Sequence, residues 1–217
     1  MPRYPEKTFI SLKDGLYIYY DPDFIDKTKS DEYFNILNKN LFEEERVPHG
    51  RNIFRRYIKD TRQMKSFGDA SLMYGLDDSD YSINDWNNQT DHKLVEACKV
   101  IKEIRDKISA KTGVLYNFVL INRYKDGTQS IGAHRDKEEC IRQEYGIAGV
   151  SLGAWREMVF KPDGFIPTGP HKTLEMTLEN GSLIDIKYPT NLYWKHCIPK
   201  RLKVKRPRIS LTFRKII

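Results

Sequence analysis

Residues Arg208 to Arg214 read RISLTFR, and the alternation is strict. Successive side chains of an extended chain point to opposite faces. Ile209, Leu211 and Phe213 therefore share one face of a strand, and Arg208, Ser210, Thr212 and Arg214 share the other. If the apolar face is buried alone, the arginines are ordinary solvated charges. If the arginines look into the fold, an anion must meet them there, because an unpaired buried charge is prohibitively costly.

Period-two segments recur upstream of this strand, at Val114–Tyr124, Ile147–Leu152, Met158–Lys161, Thr173–Glu179 and Leu183–Ile186. In TLEMTLENGSLIDI, Leu174, Met176 and Leu178 alternate with polar residues before an Asn180–Gly181 turn. Many short strands separated by turns predict an antiparallel sandwich or jelly roll. The period changes before Gly113. Leu94, Val95, Cys98, Ile101, Ile104 and Ile108 recur at helical spacing from about Asp91 to Lys111, with Thr90 or Asp91 able to cap the start and Gly113 to end it. The first ninety residues mix short elements, with a strand at GLYIYY (Gly15 to Tyr20) and a short helix over Asp31 to Leu41. No repeat, low-complexity tract or Gly/Ser linker divides the chain, so a single domain over residues 1–217 is expected, mainly β with flanking helices (α+β).

Lysine and arginine number 37 against 30 acids, a formal charge of +7 over 217 residues. That balance favours an anionic partner, nucleic acid or a membrane surface. No stretch approaches the roughly eighteen apolar residues of a membrane span, and the start, MPRYPEKTF, lacks the apolar core of a signal peptide. The three cysteines, Cys98, Cys140 and Cys197, are odd in number and widely spaced. They form neither a disulfide framework nor a zinc pattern, which points to a reducing compartment. The expectation is a soluble, intracellular protein without membrane association.

Five histidines are present: His49, His92, His134, His171 and His196. His134 lies in AHRDKE, so His134 and Asp136 share one face of an extended segment and can hold adjacent positions on one metal. By itself this spacing is equally that of a surface turn with a solvated aspartate. A third ligand must come from elsewhere, from His196 in WKHCIP or His171 in IPTGPHK. Two histidines and one carboxylate on one face leave three positions open, as in non-haem Fe(II) oxygenases. A 2-oxo acid chelating at two of them needs an arginine for its far carboxylate, and RISLTFR offers one. Asn122 and Tyr124, in NRYKDG, form a hydrogen-bonding pair on one face at a strand end.

The stretches NFVLINRYKDG, IGAHRDKE, SLGAWREMVF, NGSLI, PTN and PRISLTFRKI resemble the AlkB family of Fe(II)/2-oxoglutarate-dependent nucleic-acid dealkylases, closest to its eukaryotic members that repair double-stranded DNA. The resemblance runs from about Phe54 to the C-terminus. It implies a double-stranded β-helix (jelly roll) core over 114–217, a supporting helix over 91–113, and an N-terminal extension with a nucleotide-recognition lid over 1–90. It implies His134, Asp136 and His196 as catalytic iron ligands. Asn122, Tyr124, Arg208, Thr212 and Arg214, with His134 and His196, would surround 2-oxoglutarate. His171 is set aside because its segment reads as a loop and lacks the arginine pair at the family's offset; it, His49 and His92 are expected in solvent. The implied reaction consumes 2-oxoglutarate and O2 and releases succinate, CO2 and formaldehyde from bases such as 1-methyladenine and 3-methylcytosine.

Chemistry on a base requires extruding it from the stack, and a duplex enzyme must fill the gap. In NIFRR, Ile53 and Phe54 are apolar within a basic surround that includes Arg55, a composition suited to unstacking a duplex; the plainer reading makes Phe54 a core residue. SFGDASLMYG resembles the family's lid, with Tyr74 at a matching position and Leu76 where the relative has a stacking aromatic. Lys137 stands where the eukaryotic relative has a second aspartate, which leaves Glu138 to face the exocyclic amine. Ser210 replaces the asparagine usual between the two arginines. Lys200, Arg201, Lys203, Lys205 and Arg206, in PKRLKVKR, read as phosphate clamps rather than a merely solvated run. The expected partner is DNA, duplex over single strand, bound by a monomer in the nucleus or cytoplasm. The alternatives are the same chemistry on RNA or single strands, and a catalytically silent nucleic-acid-binding module.

Overall fold

The segment Arg208–Arg214 forms a strand along its whole expected length, in the middle of an eight-stranded sheet. The structure is a computed structural model that describes residues 8–12, 15–43, 50–53, 56–59, 62–70, 72, 83–163 and 173–217. Labelled along the chain, the large sheet runs β1 (Thr8–Leu12), β2 (Leu16–Asp21), β12 (Leu183–Lys187), β9 (Ile147–Gly153), β14 (Arg208–Arg214), β7 (Phe118–Tyr124), β5 (Gln63–Gly68) and β6 (Asn84–Asp85) from edge to edge. All its pairings are antiparallel except β5 with β6. A second, antiparallel sheet of four runs β11 (Leu174–Leu178), β10 (Arg156–Pro162), β13 (Trp194–Ile198) and β8 (Ile131–His134). β3 (Gly50–Ile53) and β4 (Arg56–Lys59) pair with each other. Three α-helices complete the described residues: α1 (Lys27–Phe42), α2 (His92–Thr112) and the single turn α3 (Thr190–Tyr193). The architecture is a mixed α/β fold.

The alternation of β14 assigns its two faces. Ile209, Leu211 and Phe213 are completely buried in a cluster with Leu37 of α1 and Ile101, Ile104 and Ile108 of α2. Each such side chain contributes roughly 1.5–3 kcal/mol by leaving water. Val119 and Ile121 of β7 and Ala148, Val150 and Leu152 of β9 extend the same face. The opposite face of the large sheet looks toward the small one. Leu16, Ile18, Ile184 and Ile186 meet Phe160, Met176, Leu178 and Trp194 there in a second core. Helices, large sheet and small sheet are therefore three successive layers.

Local chemistry sets the helix ends. Asp91 caps α2, its Oδ1 accepting from the Leu94 N–H at 3.0 Å, and Gly113 ends it at φ +74°. α1 begins one turn earlier than the sequence predicts, because Asp26 caps it by accepting from the Lys29 N–H at 2.9 Å. The expected turn at Asn180–Gly181 is present, with Gly181 at φ +81°. It joins β11 of the small sheet to β12 of the large one, so the two strands it links are not hydrogen-bonded neighbours.

The first ninety residues, expected as an extension and lid, also supply β1, β2, β5 and β6 to the large sheet. β5, β8 and β13 have no clear periodicity in the sequence. β8 (IGAH) and β13 (WKHCI) are short and carry polar residues on the inner face, where the site lies. Among the described residues no helix is long and apolar enough to cross a membrane.

Candidate active site

Between the two sheets lies a cavity of about 480 Å³. Arg208, Ser210, Thr212 and Arg214, one whole face of β14, line it, together with Asn122 and Tyr124 of β7. His134 and His196 enter from the small sheet, and Asp136 from the segment that follows β8.

Strand register explains how two histidines 62 positions apart meet. His134 and His196 are direct cross-strand partners on β8 and β13, so both side chains leave the same face. Their ring centroids are 4.4 Å apart. Asp136, two residues beyond His134, stays on that face, with Oδ1 3.4 Å from His134 Nε2. The ligand atoms of His134, Asp136 and His196 all lie within 4.8 Å of one another. His134 Nδ1 is 2.9 Å from the Gly132 carbonyl; in the neutral ring it carries the proton and donates, which leaves Nε2 as a lone-pair donor. Burial pushes the His196 pKa down to about 4, against the pull of Asp136 in the other direction, so its imidazole is neutral at pH 7. Burial by itself would raise the Asp136 carboxyl, but the Arg214 guanidinium, with the two imidazoles, holds it well below the usual carboxylate range. Two imidazoles and one carboxylate, with Asp136 and His196 buried and His134 half-buried, suit a divalent transition metal.

The two arginines of β14 have different partners. Arg214 Nε and Nη2 both donate to Asp136 Oδ2, at 3.1 and 2.5 Å. Arg208 is 1% exposed and sits over the Tyr124 ring, 5.5 Å from its centroid. Its Nη2 donates to Ser151 Oγ at 2.8 Å and Ser210 Oγ at 3.3 Å. Its Nε and Nη1 have no hydrogen-bond partner among the described residues. Burial pushes its pKa down to about 10, with Arg156 adding to the effect and Tyr124 opposing it, so it remains a cation at neutral pH.

Other residues of the site carry no sequence signal. Arg62, buried just before β5, donates from Nε to Asn122 Oδ1 at 2.8 Å and lines the cavity. Arg156 spans two loops, donating to the Gln129 and Pro199 carbonyls at 2.8 and 2.6 Å. Asn191, of the PTN stretch, bonds the backbone of Asp136. A single buried arginine or asparagine has no periodicity to announce it; the SLGAWREMVF and PTN stretches carry the family resemblance without assigning a role to Arg156 or Asn191.

The chain matches the family model described as 2OG-Fe(II) oxygenase superfamily over residues 17–214. It is 37% identical to the DNA oxidative demethylase ALKBH2 of Homo sapiens over 194 residues, covering 88% of this chain and 70% of that protein. It is 36% identical to the Bos taurus protein of the same name over 194 residues, covering 88% of this chain and 66% of that one. The solved structure of OsALKBH1 superposes with a TM-score of 0.55 over 96% of this chain and 100% of that chain, at 15% identity, a likeness of fold. The chain belongs to the AlkB family of 2OG-Fe(II) oxygenases.

For an AlkB-family enzyme, the residues present fit the cosubstrate as well as the metal. Two buried guanidinium nitrogens of Arg208 face a cavity that a dicarboxylate can enter, and an unsatisfied buried cation is costly unless an anion completes it. Asn122, Tyr124 and Thr212 line the same cavity.

The expected DNA-contact residues are placed less uniformly. Glu138 lines the cavity, whereas Lys137 is exposed and is not among its lining residues. Lys200 and Lys203 are exposed. Arg201 departs from the expected clamp: its guanidinium is held by Glu157 at 2.7 Å and Glu175 at 3.0 Å, two carboxylates of the small sheet. These two carboxylates compete with phosphate for its guanidinium. Ile53 ends β3. Phe54, Arg55, Tyr74, Leu76, His49 and His171 lie outside the described residues, while His92 is exposed at the start of α2.

Proposed function

We propose that this AlkB-family enzyme reverses N-alkyl damage in DNA, with 1-methyladenine and 3-methylcytosine in duplexes as its substrates. The observation that carries this reading is the meeting, in one cavity, of the His134, Asp136 and His196 cluster with the partly unsatisfied guanidinium of Arg208. The two facing sheets support reading the core as a double-stranded β-helix; the nucleotide lid read in SFGDASLMYG is proposed from the resemblance and falls in part outside the described residues.

His134 Nε2, the Asp136 carboxylate and His196 would hold Fe(II). Bound there with 2-oxoglutarate and O2, Fe(II) supplies oxidative hydroxylation of an N-methyl carbon, which leaves as formaldehyde while the cosubstrate becomes succinate and CO2. The chain's own residues set the conditions. Arg208, whose Nε and Nη1 have no hydrogen-bond partner among the described residues, would hold the distal carboxylate of 2-oxoglutarate, and its charge, costly while unpaired, would favour a dianionic cosubstrate. Arg214 occupies Asp136 Oδ2, so the carboxylate would hold the metal through its other oxygen. Asn122, oriented by Arg62, and Tyr124 close the cosubstrate end. Glu138 stands two residues past Asp136 on the cavity wall, where it can face the exocyclic amine of the base. Both lesions block the pairing edge and leave the base cationic, so extrusion costs less than for an intact pair.

The test is direct. Protein incubated with Fe(II), ascorbate, 2-oxoglutarate and a duplex carrying 1-methyladenine is expected to yield unmodified adenine, and His134→Ala to abolish the reaction. Absence of oxygen-dependent turnover by the parent protein refutes the proposal.

A further inference from the structure

Asp136 is buried but belongs to no strand, because β8 ends at His134. Its peptide groups therefore lack ladder partners, and a buried, unpaired N–H or C=O is costly. Asn191 of α3 supplies both partners. Its Oδ1 accepts from the Asp136 N–H at 3.1 Å, and its Nδ2 donates to the Asp136 carbonyl in a short contact. A primary amide carries the same donor–acceptor pair as a peptide group, so Asn191 acts as a surrogate strand neighbour at the metal ligand. Gln143 closes the ring: its Nε2 donates to the same Asp136 carbonyl at 2.8 Å, and its Oε1 accepts from Asn191 Nδ2 at 2.9 Å.

The Asp136 side chain is thereby constrained from both ends. Asn191 and Gln143 fix its backbone, and Arg214 fixes Oδ2. Two torsions lie between these anchors, so Oδ1 is left pointing toward His134. Thr190 makes a comparable two-point contact, but elsewhere: its Oγ1 accepts from the Tyr17 N–H at 2.6 Å and donates to the Tyr17 carbonyl at 2.9 Å, on β2. Adjacent residues of one turn thus tie down two separate segments, and only the Asn191 tie reaches a metal ligand.

We infer that Asn191, with Gln143, is a positioning residue for the metal centre, acting through the Asp136 backbone and not as a ligand. This inference rests on reading His134, Asp136 and His196 as the iron site.

The experiment measures Fe(II) affinity by anaerobic titration in the presence of 2-oxoglutarate, following the visible charge-transfer absorption of the complex, alongside thermal melting of the metal-free protein. Asn191→Ala is expected to weaken Fe(II) by about 10–100-fold, the usual cost of losing a group that orients a metal ligand. Thr190→Val is expected to lower the melting temperature with Fe(II) affinity unchanged. Unchanged Fe(II) affinity in folded Asn191→Ala overturns the inference. If that variant does not fold, Gln143→Ala decides, since it removes one donor to the same carbonyl: a smaller fall in affinity supports the inference, and unchanged affinity overturns it. If the parent protein itself binds no Fe(II), the iron-site reading fails, an outcome distinct from loss of the positioning role alone.

Discussion

At the scale of single residues, the division of labour between Arg208 and Arg214 is the clearest consequence of the structure. Both are buried and six positions apart on one strand face, so the sequence treats them alike. Arg214 directs two donors at Asp136, whereas Arg208, among the described residues, has two serine hydroxyls as hydrogen-bond partners and the Tyr124 ring beside it. Arg208→Lys keeps the charge but loses the planar fork, and a hydrogen bond to a charged group is worth about 1.5–3 kcal/mol. The KM for 2-oxoglutarate is therefore expected to rise by roughly 10–100-fold, with kcat at saturating cosubstrate little changed. Steady-state kinetics with varied 2-oxoglutarate checks this, and an unaltered KM excludes Arg208 from the cosubstrate site. Ser210 belongs to the same description. Its short side chain reaches Arg208 Nη2 at 3.3 Å, so the departure from the family's asparagine leaves the guanidinium with a partner.

Among the elements, the two loops 125–130 between β7 and β8 and 199–207 between β13 and β14 behave as one unit. Gly127 donates to the Val204 carbonyl at 2.8 Å and accepts from the Arg201 N–H at 2.7 Å. Arg156 clamps the pair from below through Gln129 and Pro199. A Cβ on Gly127 would stand 1.7 Å from the Arg201 carbonyl oxygen, which no side-chain movement can relieve. Gly127→Ala must push the loops apart, at an expected cost of about 3 kcal/mol, or a fall in melting temperature of roughly 6–12 °C. Thermal unfolding of the variant measures it, and a parent-like melting curve would mean that the loops do not depend on each other. The basic run is therefore attached to β14, which carries Arg208, on one side and to β13, which carries His196, on the other.

At the scale of the whole molecule, part of the positive charge lies on the exposed run between β13 and β14. Of the five cations expected to grip phosphate, Arg201 is ion-paired with Glu157 and Glu175, while Lys200, Lys203, Lys205 and Arg206 are exposed. Replacing Lys200 and Lys203 by glutamine is expected to weaken duplex binding about equally for every sequence. The slope of log K against log salt should flatten by about 1–2, since each phosphate that a lysine neutralises contributes about one unit or slightly less. Binding isotherms at several salt concentrations decide the point, and an unchanged slope removes these lysines from the interface. Arg201→Gln, by the same reasoning, should act chiefly on stability.

What the sequence determined by itself is what near neighbours control. The alternation of residues 208–214 foretold both faces of β14, and Asp91 and Gly113 marked the ends of α2, because backbone periodicity and caps depend on a few adjacent residues. The H-x-D pair was legible for the same reason. Tertiary structure alone decided which side chains share a site. The pairing of His134 with His196 is a matter of strand register across 62 residues, and the choice of Arg214 over Arg208 for Asp136 depends on where the chain after β8 passes. Asn191, Arg62 and Arg156 each act through partners far along the chain, and the pairing of Arg201 depends on two carboxylates of the small sheet. Such contacts have no period to read; they exist only once burial has brought distant segments together and each buried polar group has had to find a partner.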